Sequence, residues 1–129
     1  MKLRLAALAD LACVLVFAAI GRASHGEDVG PVGLATTAWP FAVGWLLGWV
    51  LVSALRTVRT RPLGLAAGVL VWVPTVLVGM LLRTVSGAGV QTSFVVVATI
   101  VLAVFLLGWR GIAALVRRSR RGTRTPVGV

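Results

Sequence analysis

The sequence predicts an all-α fold, an integral membrane four-helix bundle with both termini cytoplasmic. Three observations carry that reading. Hydrophobic residues make up 59% of the 129 and charged residues only 12%, too few charges to cover a water-soluble fold. Charge-poor runs recur four times at about the 20 residues that a ~30 Å hydrocarbon core demands. The 13 basic side chains, against three acids, gather at alternate ends of those runs.

The first run, residues 5–21, is apolar except for Asp10 and places a helix near 4–21. Its KLR start and the small residues at 18–23 also suit a cleavable signal peptide. The acid inside the apolar region and the three further spans argue against that. Cys13, the single cysteine, excludes an internal disulfide and reads as a small packing residue. The second run, 29–55, is uncharged, but Pro31 and several glycines mark its start as a loop. The helix is therefore set near 38–56, with Pro40 in its first turn, where a missing N–H costs nothing, and Trp39 at the interface. Gly44 and Gly48 form GxxxG, with Trp45 and Trp49 on an adjacent face.

The third span, near 62–83, aligns Gly64, Gly68, Thr75 and Gly79 on a face that continues to Arg83. Both glycine stripes read first as helix packing, within or between subunits, because small residues let membrane helices approach closely. Pro74, between Trp72 and Thr75, removes the bond to the Leu70 carbonyl. In lipid that carbonyl needs another partner, and Thr75 or the Trp72 indole stands near enough in sequence to supply one. A static kink is favoured over a hinge. The fourth helix, near 92–116, follows the loop-like SGAG. Residues 1–117 thus form one transmembrane domain, and 118–129 a basic cytoplasmic tail, disordered beyond about residue 119.

With four spans, eleven of the basic residues fall on one side: Lys2 and Arg4, the Arg56–Arg59–Arg61 loop, and Arg110 with the tail. Only Arg22 and Arg83 fall on the other. The positive-inside rule then puts both termini in the cytoplasm of a cell (plasma) membrane protein. The tail has anionic headgroups as its expected partner, at ~1 kcal/mol per basic residue. Nucleic acid is not expected, since no aromatics interleave with the arginines to stack on bases.

This threading gives depths. Asp10 lies six residues beyond Arg4, ~9 Å into the span, at a level that falls near Trp49, Gly68 and Arg110 on the other helices. An unpaired acid there costs about 2.5–3.5 kcal/mol on the translocon-insertion scale. An Asp10–Arg110 ion pair joining the first and last helices is therefore expected. The alternative has Arg110 snorkelling to headgroups and Asp10 protonated or bonded to an indole. At the opposite surface Arg22, His25, Glu27, Asp28 and Arg83 form a second polar group. Its arginines either pair with Glu27 and Asp28, the simpler reading, or attract an anion, and His25 would add pH sensitivity. One His and two acids in a short loop do not make a metal site, and no cofactor is expected.

A weak internal echo runs through the chain. LLGW occurs at 46–49 and 106–109, with Arg22 27 residues before Trp49 and Arg83 26 before Trp109. Two parallel hairpins would be the implied repeat, an arrangement some transporters use. There is no GxxxxGK[ST], no G-x-S-x-G elbow and no second intramembrane Asp, so an enzyme is not expected.

DLACVLVFAAIGRASHGE (10–27), TAWPF (37–41), the RP step (61–62), LLRT (81–84) and LGWR (107–110) resemble a family of small bacterial and archaeal membrane proteins, domain of unknown function 3054. The resemblance covers most of residues 10–110 and leaves out the tail. It implies a four-helix membrane protein whose signature would include Asp10, Arg22, His25 and Arg110, and it implies no activity. Two functions stay open. One is an ion or small-solute permease, working as a homodimer because four short helices barely enclose a pathway. The other is a non-catalytic scaffold or accessory subunit bound to another membrane protein.

Overall fold

The computed structural model describes residues 2–88 and 91–123. It contains helices α1 (Lys2–Ser24), α2 (Pro31–Ala54), the single turn α3 (Arg56–Arg59), α4 (Leu65–Val85) and α5 (Thr92–Thr123), and no strand among the described residues. The four long helices are each long and apolar enough to cross a membrane.

Only the start of α5, at Thr92, coincides with an expected bound; α1 spans Lys2–Ser24 against 4–21, and three other differences bear on the architecture. α2 begins at Pro31, seven residues before 38, because Pro31 opens the helix behind an extended Gly30 N-cap (φ −66°, ψ 168°). Proline at a first helical position is pre-organised rather than disruptive. Pro40 therefore lies buried inside α2, and Trp39 stands about two turns into the helix rather than at its start. α4 begins at Leu65 behind the N-cap Gly64, which leaves Pro62 in a turn and its carbonyl outside the helical ladder. α5 runs to Thr123, past the 116 expected and through the first part of the predicted disordered tail. No helix breaker follows Gly111 until Gly122, and Arg, Ala and Leu propagate helix well. Residues 124–129, the remainder of that tail, lie outside the described residues.

α1 and α4 end in the same way. Gly26 (φ +68°) and Gly87 (φ +81°) take the left-handed conformation. Glu27 N–H donates to the Arg22 carbonyl and Gly26 N–H to Ala23; Ala88 N–H donates to the Arg83 carbonyl and Gly87 N–H to Thr84. Both helices thus close in a Schellman motif, and each has an arginine at the equivalent position of its last turn.

The tightest packing joins α2 to α4. A Cβ at Gly48 would lie 2.8 Å from Val71 Cα and 3.0 Å from the Leu70 carbonyl, and one at Gly44 would lie 2.6 Å from Thr75 Cα. The GxxxG stripe of α2 therefore sits directly against the Pro74 break of α4. The expected local partners of the Leu70 carbonyl turn elsewhere. Thr75 Oγ1 donates to Val71 (2.6 Å) and Trp72 Nε1 to Thr99 on α5 (3.1 Å). It is the backbone of Gly48, a residue without a side chain, that the Leu70 carbonyl faces. Of the α4 stripe, Gly68 faces Leu107 and Arg110 on α5, and Gly79 receives the ring of Phe41. Gly64 serves as the cap. Two apolar clusters fill the interior. One holds Val14, Phe41, Leu102 and Leu106, the other Ala6, Trp49, Val52 and Val71.

Candidate functional site

Two polar centres lie at different levels of this interior. The first is built on Asp10, midway along α1, and Arg110 on α5, both with essentially no solvent exposure (0% and 1%). The structure brings them together as a bidentate pair. Arg110 Nη1 donates to Asp10 Oδ1 (2.6 Å) and Nη2 to Oδ2 (2.7 Å). Each carboxylate oxygen also accepts an indole N–H, Oδ1 from Trp109 (2.8 Å) and Oδ2 from Trp49 (3.1 Å). The remaining donors of Arg110 reach backbone: Nε the Pro62 carbonyl (3.2 Å) and Nη1 the Leu106 carbonyl (2.8 Å). Gly68 makes the room, because a Cβ there would lie 2.9 Å from Arg110 Cδ. One turn before Trp49, Trp45 Nε1 donates to the Ala7 carbonyl of α1 (2.9 Å).

The arrangement cancels its own charge and satisfies both carboxylate oxygens, which is what a buried pair requires. It leaves no carboxylate lone pair aimed at a cavity. Chemically it is a clamp among α1, α2 and α5 that also holds the loop before α4. Cys13, on α1 three residues further on, lies partly buried with its Sγ 3.7 Å from the Phe105 carbonyl of α5.

The second centre lies at the C-terminal end of α1. Arg22 pairs with Glu27 (3.1 Å). Its Nη1 donates to Thr37 Oγ1 (2.8 Å) and its Nε to the backbone carbonyl of Asp28. Gly33 lets this guanidinium lie against α2, since a Cβ there would lie 2.7 Å from Nη2. Asp28 thus contributes its main chain, while its carboxylate stands over Gly30. Arg83 does not join the expected network with Glu27 and Asp28. Its guanidinium lies 4.4 Å over the ring of Phe94, and its buried Nε has no hydrogen-bond partner among the described residues. Glu27 is already committed to Arg22.

Between the two arginines lies a cavity of about 570 Å³. Arg22, His25, Glu27, Thr37, Arg83, Gln91 and Ser93 are among its polar lining, and Phe17, Phe94 and Ala98 among its apolar floor. Phe41 packs below that floor, edge-on to Phe17 with centroids 5.2 Å apart and tilted against Phe94 at 6.4 Å. Among the described residues no three His, Cys, Asp or Glu side chains come together as metal ligands.

The family described as Protein of unknown function (DUF3054) matches residues 7–113. The chain belongs to the DUF3054 family. No curated protein and no solved structure matches it. The DUF3054 match begins before Asp10 and ends beyond Arg110, so it takes in both polar centres. Within it, sequence depth alone places Trp49, Gly68 and Arg110 level with Asp10; Trp49 and Arg110 bond to its carboxylate, and Gly68 packs against Arg110. Trp109 and the Pro62 carbonyl were missed as partners. The signal for Trp109 was the LLGW echo, whose two tryptophans meet on one carboxylate. Pro62 carried no such signal, because its carbonyl is free only once the helix start moves to Leu65.

Proposed function

We propose that this DUF3054 protein is a small-solute or ion permease of the cell membrane, non-enzymatic, with both termini cytoplasmic and the Arg22–Arg83 cavity facing outward. The observation that carries this reading is that cavity. It is a cationic and polar recess of a size typical of small-molecule sites, set toward one end of four apolar helices. The sidedness rests on the concentration of basic residues at the opposite end. The same rule gives the basic end of α5 anionic headgroups as its partner. Below the cavity, Phe17, Phe41 and Phe94 and the Asp10–Arg110 clamp fill the centre of one chain. A pathway therefore requires α1 and α5 to part, or a seam between two copies, which is the reason for proposing a homodimer.

The filled centre also favours a second reading, a scaffold or accessory subunit that transports nothing. Liposome flux separates the two. Purified protein should carry at least one member of a panel of anions, cations and protons above empty-vesicle rates. Absence of flux from well-folded protein, with a stoichiometric membrane partner retained on gentle solubilisation, would overturn the permease.

A further inference from the structure

We propose that the cavity between Arg22 and Arg83 is a binding site for a small oxyanion of the phosphate or carboxylate class. The inference rests on the permease reading only for its use, since it names the solute class. The site itself stands on the geometry.

Charge is the first argument. Two guanidinium groups border one cavity, and Glu27 alone among the acids lines it. That carboxylate is taken up by Arg22. Arg83 is left facing the ring of Phe94 with no carboxylate within salt-bridge reach among the described residues. An arginine desolvated on one side, with a buried N–H unmatched, carries a standing cost that an anion in the cavity would remove. The face of Phe94 offsets part of the charge but accepts no in-plane hydrogen bond. The fork of guanidinium donors matches the geometry of carboxylate and phosphate oxygens.

The other lining groups suit the same ligand. Thr37 Oγ1 accepts from Arg22, so its own hydroxyl proton remains to be donated. Gln91 and Ser93, across the cavity on the α5 side, add donors that do not compete in charge. The arginines also sit at matching positions of two Schellman-closed helix ends. The two hairpins thereby deliver their cations to one cavity by the same local device. The apolar floor leaves room for a small carbon body beneath the charged head.

The same oxyanion chemistry is present in free anions and in lipid headgroups. Full-length protein in neutral maltoside detergent is titrated with inorganic phosphate, sulfate and benzoate against chloride at constant ionic strength, with heat of binding and melting temperature as readouts. In a second arm phosphatidylglycerol is titrated into the same micelles. Saturable binding of a free anion, or of phosphatidylglycerol alone, supports the site and identifies the source where Arg83→Gln weakens it, because the basic end of α5 attracts anionic headgroups by itself. Arg83→Gln should weaken it at least tenfold, while Arg118→Gln, at the basic end, should leave free-anion binding unchanged. Gly21→Leu gives an independent block. Gly21 lines the cavity, and a Cβ there meets nothing within 4 Å, so the added side chain should fill the recess without disturbing the helices. The proposal falls if neither arm saturates, or if saturation survives both Arg83→Gln and Gly21→Leu. Saturable binding without flux would remove the permease and keep the site. Flux of a cation or neutral solute without anion binding would do the reverse.

Discussion

Arg110 makes four hydrogen bonds, two to a carboxylate and two to backbone, and is shut away from solvent. The guanidinium of Arg83, of the same chemistry and also beside an aromatic ring, makes none to a described residue and borders a cavity. The first guanidinium is finished by the fold and the second is left open by it. A cation withdrawn from water on an apolar helix is kept where something answers its charge. At one level the answer comes from within the chain, and at the other the fold leaves room for it to come from outside.

The comparison breaks first at the closed centre. Arg110→Met strands Asp10 between two indoles and should cost about 3–5 kcal/mol. Asp10→Asn should cost less than that. The double variant should fall well short of the sum of the single losses, because each single change leaves the other partner unmatched. Thermal unfolding in detergent, followed by helical circular dichroism, measures all three. Additive losses would mean that the two side chains do not act as a pair.

Trp109→Phe sharpens the picture of how that centre is completed. It removes one donor to a charged acceptor while keeping an aromatic ring in place, and should cost about 1.5–3 kcal/mol. Trp49→Phe, at the longer 3.1 Å contact, should cost less. The reverse order in the same unfolding assay would show that the indoles act by packing alone. The smallest effect belongs to the open end. Glu27 is 53% exposed at its side chain, and an ion pair so placed is worth about 0.2–1 kcal/mol. Glu27→Gln should shift stability by no more than that, while freeing Arg22 and so tightening phosphate binding in the titration described above. Weakened binding would show that Glu27 helps to shape the recess rather than competing for its arginine.

Much of this contrast was legible in the residues. Depth counted from Arg4 brought Asp10 level with Arg110, because a helix converts residue number into distance at a fixed rise. The echo of LLGW and the matched spacing of Arg22 and Arg83 foreshadowed two tryptophans on one carboxylate and two arginines on one cavity. Other features needed coordinates. Pro31 starts a helix here, where composition suggested a loop, since proline fits both. Which ring or acid Arg83 would face depends on how α4 and α5 rotate against each other, and apolar helices carry little sequence record of rotation. The close approach of Gly48 to the Leu70 carbonyl was likewise hidden. Glycine spacing announced a near contact without naming the partner.

The clamp also has a consequence for biogenesis. Its two charged members lie a hundred residues apart, on the first and last of the four long helices described. At synthesis rates of about 5–20 residues per second, roughly 5–20 s pass between the incorporation of Asp10 and that of Arg110. For that interval the acid has no arginine from this centre, and Trp49, 39 residues on, is the first to be made of the three side chains that bond to it. The tryptophan on α2 is thus placed to shelter the carboxylate during assembly as well as to share it afterwards.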